Sequence, residues 1–319
     1  MLHLSISTVS RALKDHPDIS KQTRVKVKEL AEMLEYEPNT YAINLRTNNS
    51  KEFGIIVPFI SNYFYHSFIS SLEEEARRYG YSVIILQSGD DPIMEQENLK
   101  KCKQNRVSGV FAAITSQTED IKSFLKLESQ HIPVVFFDKV PAYEACNKVC
   151  VADNLAASMA AEVLILKKKY AILSIFGNKN LSITKRRLKS YTDTFKKYEA
   201  GTGLQIHHAN NSEEALEITA SAFAQTQKPD AVFCMSDEIL TGTMKAAQKL
   251  HLKIPEKVGI IAISDGFIPK LYYPEISYTE TSGYKLGKLA FSRMLACIAG
   301  TQVVQELFID SKLIEGGSL

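Results

Sequence analysis

The stretch Leu4-Ser-Ile-Ser-Thr-Val-Ser-Arg-Ala-Leu-Lys14 lies near the start of this 319-residue chain and predicts one short helix. Ser5 is a good N-cap, and no Gly or Pro interrupts the residues that follow it. Helical spacing gives the helix an apolar face of Val9, Ala12 and Leu13 and a polar face of Ser7, Arg11 and Lys14. Small hydroxyls and an arginine on a free face suit the DNA major groove. The alternative is a surface helix whose polar face is simply solvated.

A second helical pattern follows the loop at residues 16–19, with Ser20 as its predicted cap. Its apolar stripe consists of Val27, Leu30, Ala31 and Leu34. The motif Tyr36-Glu-Pro-Asn39 ends this helix, and residues 40–46 predict one more short helix with Asn39 as its cap. The start of the chain is therefore predicted to be all-α.

Several motifs in this region occur in the order typical of one protein family: Ser7-Thr-Val-Ser-Arg-Ala-Leu13, Ile19-Ser20, Tyr36-Glu-Pro-Asn39 and Leu45-Arg-Thr47. They resemble the DNA-binding headpiece and hinge of the LacI–GalR family of bacterial transcription regulators. The resemblance implies that Ile6, Ser7 and Arg11 read bases and that Leu45 is a minor-groove wedge. The full set that it assigns to DNA binding is Ser5, Ile6, Ser7, Thr8, Ser10, Arg11, Lys21, Asn39 and Leu45.

The headpiece departs from the family pattern at its beginning. Family headpieces start with a helix and a turn ahead of the recognition helix, but only Met1-Leu2-His3 precedes Leu4. We therefore expect a partial helix-turn-helix headpiece at residues 1–38, without its first helix, and a hinge helix and linker at residues 39–52. Either Met1 is an internal residue of a longer natural protein or this form is defective in DNA binding. The sequence leaves both possibilities open.

Composition excludes several classes of protein. With 45% hydrophobic and 23% charged residues, the chain has an ordinary globular composition and the length of about two domains of ~150 residues. No apolar run approaches the ~18 residues of a membrane helix, and no secretory signal is present. The five scattered cysteines fit reduced thiols, which predicts a cytoplasmic protein. Motifs of nucleotide-binding enzymes, hydrolases and metal sites are absent, so we predict no enzyme, no cofactor and no metal.

Charge is local rather than global, because the formal net charge is only +2. Residues 1–28 carry six basic side chains against two acidic ones, whereas residues 29–37 carry four glutamates and no base. A basic end and an acidic far side suit attraction to DNA phosphates. A charged, solvated helix surface accounts for the same pattern equally well.

From Phe53 onward, apolar strands alternate with helical patterns, beginning with Phe53-Gly-Ile-Ile-Val-Pro58. Repeated β-α-β units with nearly continuous apolar strands predict parallel sheets covered by helices on both faces. The fold class is therefore α/β, with two doubly wound subdomains. The family resemblance implies periplasmic-binding-protein-like subdomains joined by three crossovers. It places the N-subdomain at about residues 53–153 plus 282–300 and the C-subdomain at about 154–281 plus 301–319.

Ligands of open α/β sheets bind beyond the carboxyl ends of the strands. The polar residues that follow the predicted strands are Ser61, Asn62, Gln87, Ser88, Thr115, Asp138, Asp153, Asn178, Ser236, Asp237, Ser264 and Asp265. Each of them alone fits a helix cap or a turn former equally well, and Asp153 in particular looks like an N-cap. As a set of acceptors around one cleft, they favour a small polyol.

The family resemblance assigns effector contacts to Asn62, Phe64, Asp138, Arg187, Ser236 and Asp237. It implies that Asp138 and Arg187 lie on opposite walls of the cleft. The match weakens at Ser264 and Asp265, because many members carry an Asp directly after that strand. The ligand class therefore stays open between a sugar, a sugar derivative and a nucleoside.

We predict a ligand-responsive transcription regulator, most simply a repressor, that acts as a homodimer on a palindromic operator. Dimer contacts should come from the N-subdomain, including the helix after Ser61 and the helix at residues 286–299. The alternative is a small-molecule binding protein without specific DNA binding. No membrane association is expected.

Overall fold

The computed structural model describes residues 4–36, 50–200, 203–301 and 303–319. Its contacts divide the chain into two compact units at the boundary between Ser50 and Lys51. We call residues 4–36 the headpiece and residues 51–319 the effector domain.

Two helices form the described headpiece, α1 at Ile6–Leu13 and α2 at Lys21–Met33. Ser5 Oγ accepts the backbone N–H of Thr8 at 3.2 Å, and Ser20 Oγ accepts that of Thr23, also at 3.2 Å. Both predicted caps are confirmed, since each hydroxyl satisfies an N–H that the first helical turn leaves unpaired. The predicted helix at residues 40–46 lies outside the described residues, as do Asn39 and Leu45.

The turn between the two helices is held by basic side chains of α2. Asp15 adopts a left-handed conformation with φ of +54°, which Asp tolerates better than most residues. Lys28 Nζ lies 2.7 Å from the Asp15 carboxylate, and Arg24 donates to the Asp15 carbonyl at 3.2 Å. Two of the six basic side chains in residues 1–28 therefore stabilise the fold of the headpiece itself.

The effector domain contains twelve strands and eight α-helices among its described residues. The strands are β1 Glu52–Val57, β2 Ser82–Gln87, β3 Gly109–Ala112, β4 Val134–Phe137, β5 Asn147–Val151, β6 Ala171–Phe176, β7 Gly203–His208, β8 Ala231–Cys234, β9 Gly259–Ser264, β10 Ser277–Glu280, β11 Glu306–Ile309 and β12 Lys312–Ile314. The helices are α3 Tyr63–Arg78, α4 Pro92–Gln104, α5 Lys122–Glu128, α6 Asp153–Leu166, α7 Ser182–Lys197, α8 Ser212–Ala224, α9 Asp237–Lys249 and α10 Gly283–Ile298. A 3₁₀ helix follows β9 at Ile268–Leu271.

These strands form two six-stranded sheets, one in each subdomain. The N-subdomain sheet has the order β11-β5-β4-β3-β1-β2 and all its pairs are parallel. The C-subdomain sheet has the order β12-β10-β9-β8-β6-β7 and is parallel except for the β10–β12 pair. The predicted fold class, two doubly wound α/β subdomains, is confirmed.

Both faces of the N-subdomain sheet are buried, which explains its nearly continuous apolar strands. On one face Phe68 of α3 stacks on Phe137 of β4, with ring centroids 3.7 Å apart. On the other face Phe136 packs against Phe124 of α5, at 5.0 Å between centroids. In the C-subdomain, Tyr191 of α7 is fully buried, and its hydroxyl lies 2.9 Å from Ser174 Oγ of β6. Each subdomain therefore has its own core, and the space between them is left for a cleft.

The predicted course of the chain near its end is wrong in one respect. We expected residues 301–319 to belong wholly to the C-subdomain, but β11 pairs with β5 of the N-subdomain sheet, with Leu307 opposite Val149. The chain thus crosses between subdomains after Val151, after Glu280, and between Ile309 and Lys312. Two short C-subdomain strands, β10 and β12, were not predicted. Both are short and lack the continuous apolar run by which buried strands are recognised.

Candidate functional site

A cavity of about 210 Å³ lies in the cleft where the carboxyl ends of the two sheets face each other. It is smaller than the ~300–1,000 Å³ of typical ligand pockets, so it suits a small ligand. The structure places all eight predicted effector residues in its lining: Asn62, Phe64, Asp138, Arg187, Ser236, Asp237, Ser264 and Asp265. These residues come from both subdomains.

Asp138 lines the N-subdomain wall directly after β4. It is only 8% exposed and has a left-handed φ of +56°. Its Oδ2 accepts a hydrogen bond from the Tyr65 hydroxyl at 2.7 Å. Burial raises the pKa of Asp138, although this hydrogen bond and nearby Lys139 and Arg187 oppose the rise. The strained backbone and the tyrosine together fix the direction of one acceptor at the cavity wall.

Tyr65 was not predicted from the sequence. Burial and the charge of Asp138 raise the pKa of its phenol well above the usual value, so it remains a hydrogen-bond donor. Its ring packs edge-on against Phe137, at 6.1 Å between centroids. The sequence predicted a helix after Ser61 and assigned no role to Tyr65 within it. Only the fold shows that the hydroxyl reaches Asp138.

Arg187 lies on the opposite, C-subdomain wall, as the resemblance implied, and is 5% exposed. Its Nε donates to Asp153 Oδ1 at 2.9 Å and its Nη1 donates to the Met235 carbonyl at 2.8 Å. The basic run at residues 185–187 would by itself also fit a surface charge, but burial rules that interpretation out for Arg187. The guanidinium is held rigidly at the cavity.

Asp153 has a different role from the predicted one. The N-cap position of α6 is Ala152, and Asp153 is the first helical residue. Its carboxylate is buried and accepts from both Arg187 and Arg186, with Arg186 Nη2 at 3.0 Å. Arg186 also lies 3.8 Å from Glu306 of β11. Asp153 thus links the cavity arginine to the first crossover between the subdomains, which no cap pattern indicates.

Three polar residues at the end of β9 and the start of α9 form one hydrogen-bonded group. Ser264 Oγ donates to one oxygen of Asp237, and the backbone N–H of Asp265 donates to the other at 3.1 Å. Burial raises the pKa of Asp237. Both oxygens of Asp237 are therefore engaged before any ligand binds.

Asp265 reaches across to the N-subdomain. Its Oδ1 accepts the backbone N–H of Gly283, at the start of α10, at 2.6 Å. A Cβ at Gly283 would lie 2.4 Å from the Phe64 carbonyl oxygen, so only glycine lets the start of α10 pack this closely on α3. Burial, together with the charges of Asp237 and Glu280, raises the pKa of Asp265 to about 6. This carboxylate is a direct tie between the subdomains beside the second crossover.

Several of the predicted polar residues are caps or turn formers. Asn62 caps α3 by accepting from Phe64 N–H at 2.9 Å, and Ser236 caps α9 by accepting from Ile239 N–H at 3.4 Å. Both also border the cavity, so Asn62 and Ser236 are helix caps and cavity-lining residues at the same time. Asn178, which also borders it, accepts from Asn180 N–H at 2.9 Å.

Other members of that polar set support the surrounding loops. Gln87 Oε1 accepts from Ile60 N–H at 3.0 Å, and Ser88 Oγ donates to the Val57 carbonyl. The N–H of Thr115 donates to buried Glu95 at 3.0 Å. Ser61 borders a neighbouring pocket at the mouth of the cleft. The sequence predicted correctly that these residues lie at the carboxyl edge of the sheets. It did not distinguish residues that line the cavity from residues that hold the surrounding loops.

The headpiece residues assigned to DNA binding lie mainly on one surface of α1. Ile6 is 91% exposed, and Ser7 and Arg11 are also exposed. Ser5 is occupied as the cap, and Thr8 and Ser10 are half-buried. Lys21 is exposed at the start of α2. Ile6, Ser7 and Arg11 are therefore accessible for contact with a partner.

The described residues contain no group of His, Cys, Asp and Glu that could hold a metal ion. None of the helices described is long and apolar enough to span a membrane. All five cysteines are free thiols.

Comparison with known proteins identifies the family of both units. A model described as periplasmic binding proteins and sugar binding domain of LacI family matches residues 50–316, and one described as bacterial regulatory proteins, lacI family, matches residues 4–39. Catabolite control protein A of Staphylococcus epidermidis is 28% identical over 89% of this chain and 86% of its own. The HTH-type transcriptional regulator RegA of Clostridium saccharobutylicum is 26% identical over 98% of this chain and 95% of its own.

Solved structures show the same fold. The lac repressor dimer bound to operator and the anti-inducer ONPF superposes with a TM-score of 0.88 over 99% of this chain and 96% of that one, at 18% identity. A regulator from Alkaliphilus metalliredigens QYMF complexed with D-xylulofuranose gives 0.73 over 84% and 98%, at 24% identity. The relatives are regulators, in agreement with the prediction that the chain is not an enzyme. The chain belongs to the LacI family of bacterial regulatory proteins and is a ligand-responsive transcription regulator, with a DNA-binding headpiece and a sugar-binding domain.

Proposed function

We propose that this regulator is a cytoplasmic repressor that binds a palindromic operator as a homodimer and responds to a small sugar-like effector in the cleft. One observation carries the proposal: side chains from both subdomains converge on a single small cavity at the carboxyl ends of the strands. A ligand that touches both walls favours one closure of the cleft. Such a ligand alters the DNA-binding state only by its differential affinity for the two closures, typically ~1–3 kcal/mol.

The chemistry of the cavity supports a polyol ligand. Asp138 supplies a buried acceptor from the N-subdomain, and Arg187 supplies a donor from the C-subdomain. Phe64 adds an aromatic face at the same cavity. Adjacent hydroxyls pair with carboxylate and guanidinium groups, while apolar ring faces pack on aromatic side chains.

The headpiece supports recognition of DNA through α1. Ile6, Ser7 and Arg11 are exposed on it. Arg24 and Lys28 hold the interhelical turn, so phosphate contacts fall to other basic residues such as Lys21. Leu45 as a minor-groove wedge and Asn39 as a DNA contact stay predictions, because both residues lie outside the described range.

Dimerisation is proposed through the N-subdomain. Helices α3 and α10 pack on each other along their length. At the start of α10, Tyr284 is partly exposed, and its hydroxyl donates to Glu74 of α3 at 2.6 Å. A two-fold dimer through these helices would present two headpieces to two operator half-sites.

The decisive experiment measures effector response in paired variants. An operator is first selected from random duplexes, and effectors are sought by calorimetry against a panel of sugars and nucleosides. Asp138→Ala and Arg187→Ala should each abolish the effector response and leave operator affinity without effector largely unchanged. Lys189→Ala on the same helix and Asp120→Ala on a surface loop are matched controls, since both side chains lie in exposed ion pairs.

Two results would contradict parts of the proposal. If both cavity variants bound the identified effector as the wild type does, the effector would bind elsewhere. If no specific duplex were selected while a small molecule bound in the cleft, the alternative function, small-molecule binding without specific DNA recognition, would be correct. A monomer at micromolar concentration by sedimentation would overturn the dimer.

A further inference from the structure

The lining of the cavity is strongly acidic. Five carboxylates border it, and only two basic side chains do: Asp90, Asp138, Asp237, Glu238 and Asp265 against Lys139 and Arg187. We propose that this cavity selects against anionic ligands, so that its effector is an uncharged polyol and the corresponding phosphate ester is rejected. The proposal rests on the proposed function and narrows the class of its ligand.

The two cations are already engaged by carboxylates. Arg187 is bonded to buried Asp153 and to the Met235 carbonyl. Lys139 Nζ lies 3.8 Å from Asp90 Oδ1. A phosphate group, which carries ~1.5–2 negative charges near pH 7, would compete with these carboxylates for either cation. Asp153 is shared with Arg186, which also lies 3.8 Å from Glu306, so three cations face three carboxylates in these two groups and no net positive charge is left for an incoming anion.

The carboxylates oppose an anion directly. Asp138 is buried on one wall, and Asp237 on the other wall has both oxygens committed to Ser264 and Asp265. Burial raises the pKa of Asp138, Asp237 and Asp265 because a charged carboxylate loses hydration there, and an anionic ligand would lose hydration in the same way. A buried site that places like charges together excludes the wrong ligand more effectively than it attracts the right one.

The mouth of the cleft has the same sign. A pocket of about 460 Å³ opens beside the cavity and shares Asp237 and Glu238 with it. A cleft lined by one sign of charge focuses the field and alters the local concentration of charged solutes. Anions should therefore be depleted at the entrance as well as at the binding site.

The first test needs no knowledge of the effector. The variant Asn178→Cys introduces a cysteine at the cavity. Its reaction rates are measured with a cationic and an anionic methanethiosulfonate reagent of similar size. Each rate is divided by the rate of the same reagent with a free thiol, so that only the effect of the protein remains. Four native cysteines are buried and Cys297 is half-buried, so the wild type supplies the background. We expect the cationic reagent to be favoured at least tenfold. The positive charge of neighbouring Lys179 favours the anionic reagent. A preference for the cationic reagent would therefore have to come from the carboxylates.

Charge-neutralising variants link the preference to these residues. Glu238→Gln, at an exposed position, and Asp90→Asn, which keeps an acceptor for the Ser116 N–H, should together lower the rate ratio at least threefold in the Asn178→Cys background. Circular dichroism checks that the fold is retained. Glu217→Gln, on the exposed surface of α8 away from the cavity lining, is the matched control. An anionic reagent that reacts as fast as the cationic one would overturn the proposal.

The second test measures equilibrium binding by calorimetry with ribose against ribose 5-phosphate and glucose against glucose 6-phosphate. Each ester should bind at least tenfold more weakly than its parent sugar, or give no heat. An ester that bound more tightly than its parent would overturn the proposal, for example by reaching Lys139 and Lys185, which border an adjoining pocket. If none of these four compounds bound while the cationic preference persisted, ribose and glucose would be excluded as effectors and the charge selectivity would stand.

Discussion

The headpiece and the effector domain of this regulator differ in where their functional side chains lie. Among residues 4–36, the hydrophobic side chains that are fully buried are Ala12 and Val27, and the residues assigned to DNA are exposed. In the effector domain, both faces of the N-subdomain sheet are buried, and the residues assigned to the effector line an enclosed cleft. A DNA-binding surface needs outward side chains on a short helix. A small-molecule site needs walls, and therefore a large core behind them.

The largest expected effect tests this contrast in stability. Phe68→Ala should lower the free energy of unfolding of the effector domain by ~3–5 kcal/mol, because the ring is fully buried and stacks on Phe137. Ile6→Ala in the headpiece should change stability by less than ~0.5 kcal/mol, since Ile6 is 91% exposed. Urea unfolding followed by circular dichroism measures both. Equal effects would show that Ile6 is buried in the free protein.

The next effect separates base readout from phosphate contact within the headpiece. Arg11→Ala should cost ~1–3 kcal/mol of operator binding and relax preference at one base pair. Lys21→Ala should weaken binding to all sequences alike and reduce the salt slope by about one. Fluorescence anisotropy with selected and random duplexes over a salt series distinguishes them. If Arg11→Ala weakened binding to both duplexes equally, Arg11 would not be a base-reading residue.

A smaller effect concerns the local stability of the headpiece. Ser20→Ala should destabilise it by ~1 kcal/mol, because the Thr23 N–H loses its acceptor at 3.2 Å. Ser20→Asp should restore most of the loss, since Asp is an equally good cap. Hydrogen exchange of α2 amides reports this locally. Unchanged exchange in Ser20→Ala would mean that tertiary contacts, rather than the cap, hold this helix end.

The smallest expected effect is that the stability of the headpiece and the stability of the effector domain change in opposite directions with pH. The hydrogen bond from Lys28 lowers the pKa of Asp15 in the headpiece, so its stabilising contribution is present above the ordinary Asp pKa and is lost as pH falls through the folded value. The pKa of Asp265 in the effector domain is raised to about 6, so its contribution is fully present below the ordinary Asp pKa of ~3.9 and is lost as pH rises through about 6. Because the Asp265 carboxyl is partly exposed, we expect less than ~1 kcal/mol from it.

The variant Asp265→Asn isolates the contribution of the Asp265 carboxyl to stability. Between pH 4.5 and 7, the melting temperature of the wild type relative to this variant should fall as pH rises, because only the wild type has a carboxyl to ionise there. Asp15→Asn should give the opposite slope below pH 4.5, read from exchange of headpiece amides. If the difference in melting temperature between the wild type and Asp265→Asn rose with pH instead, the carboxylate form would be the stabilising one, through its bond to Gly283.

Some features followed from short stretches of sequence because their causes are local. Both headpiece caps lie within three residues of the N–H groups that they satisfy. The alternation of apolar strands and helices predicted two doubly wound sheets, since strands buried on both faces must be apolar throughout. The edge that would hold a ligand followed from the same rule. Six of the eight proposed effector residues were named from the family resemblance, and Ser264 and Asp265 from their place after a predicted strand; the fold brings all eight together.

The sequence by itself determined the helices, the class of the fold and the edge of the sheets where polar residues gather, because each depends on periodicity or on contacts between near neighbours. Tertiary structure alone decided that Tyr65 donates to Asp138, that Asp153 holds Arg186 and Arg187 instead of capping a helix, and that β11 returns to the first sheet. These contacts join segments far apart in the chain, and the residues involved fit more than one local role. Only the closure of the two sheets around a common cleft selects among those roles, because a charge that becomes buried is strongly destabilising unless it gains a partner.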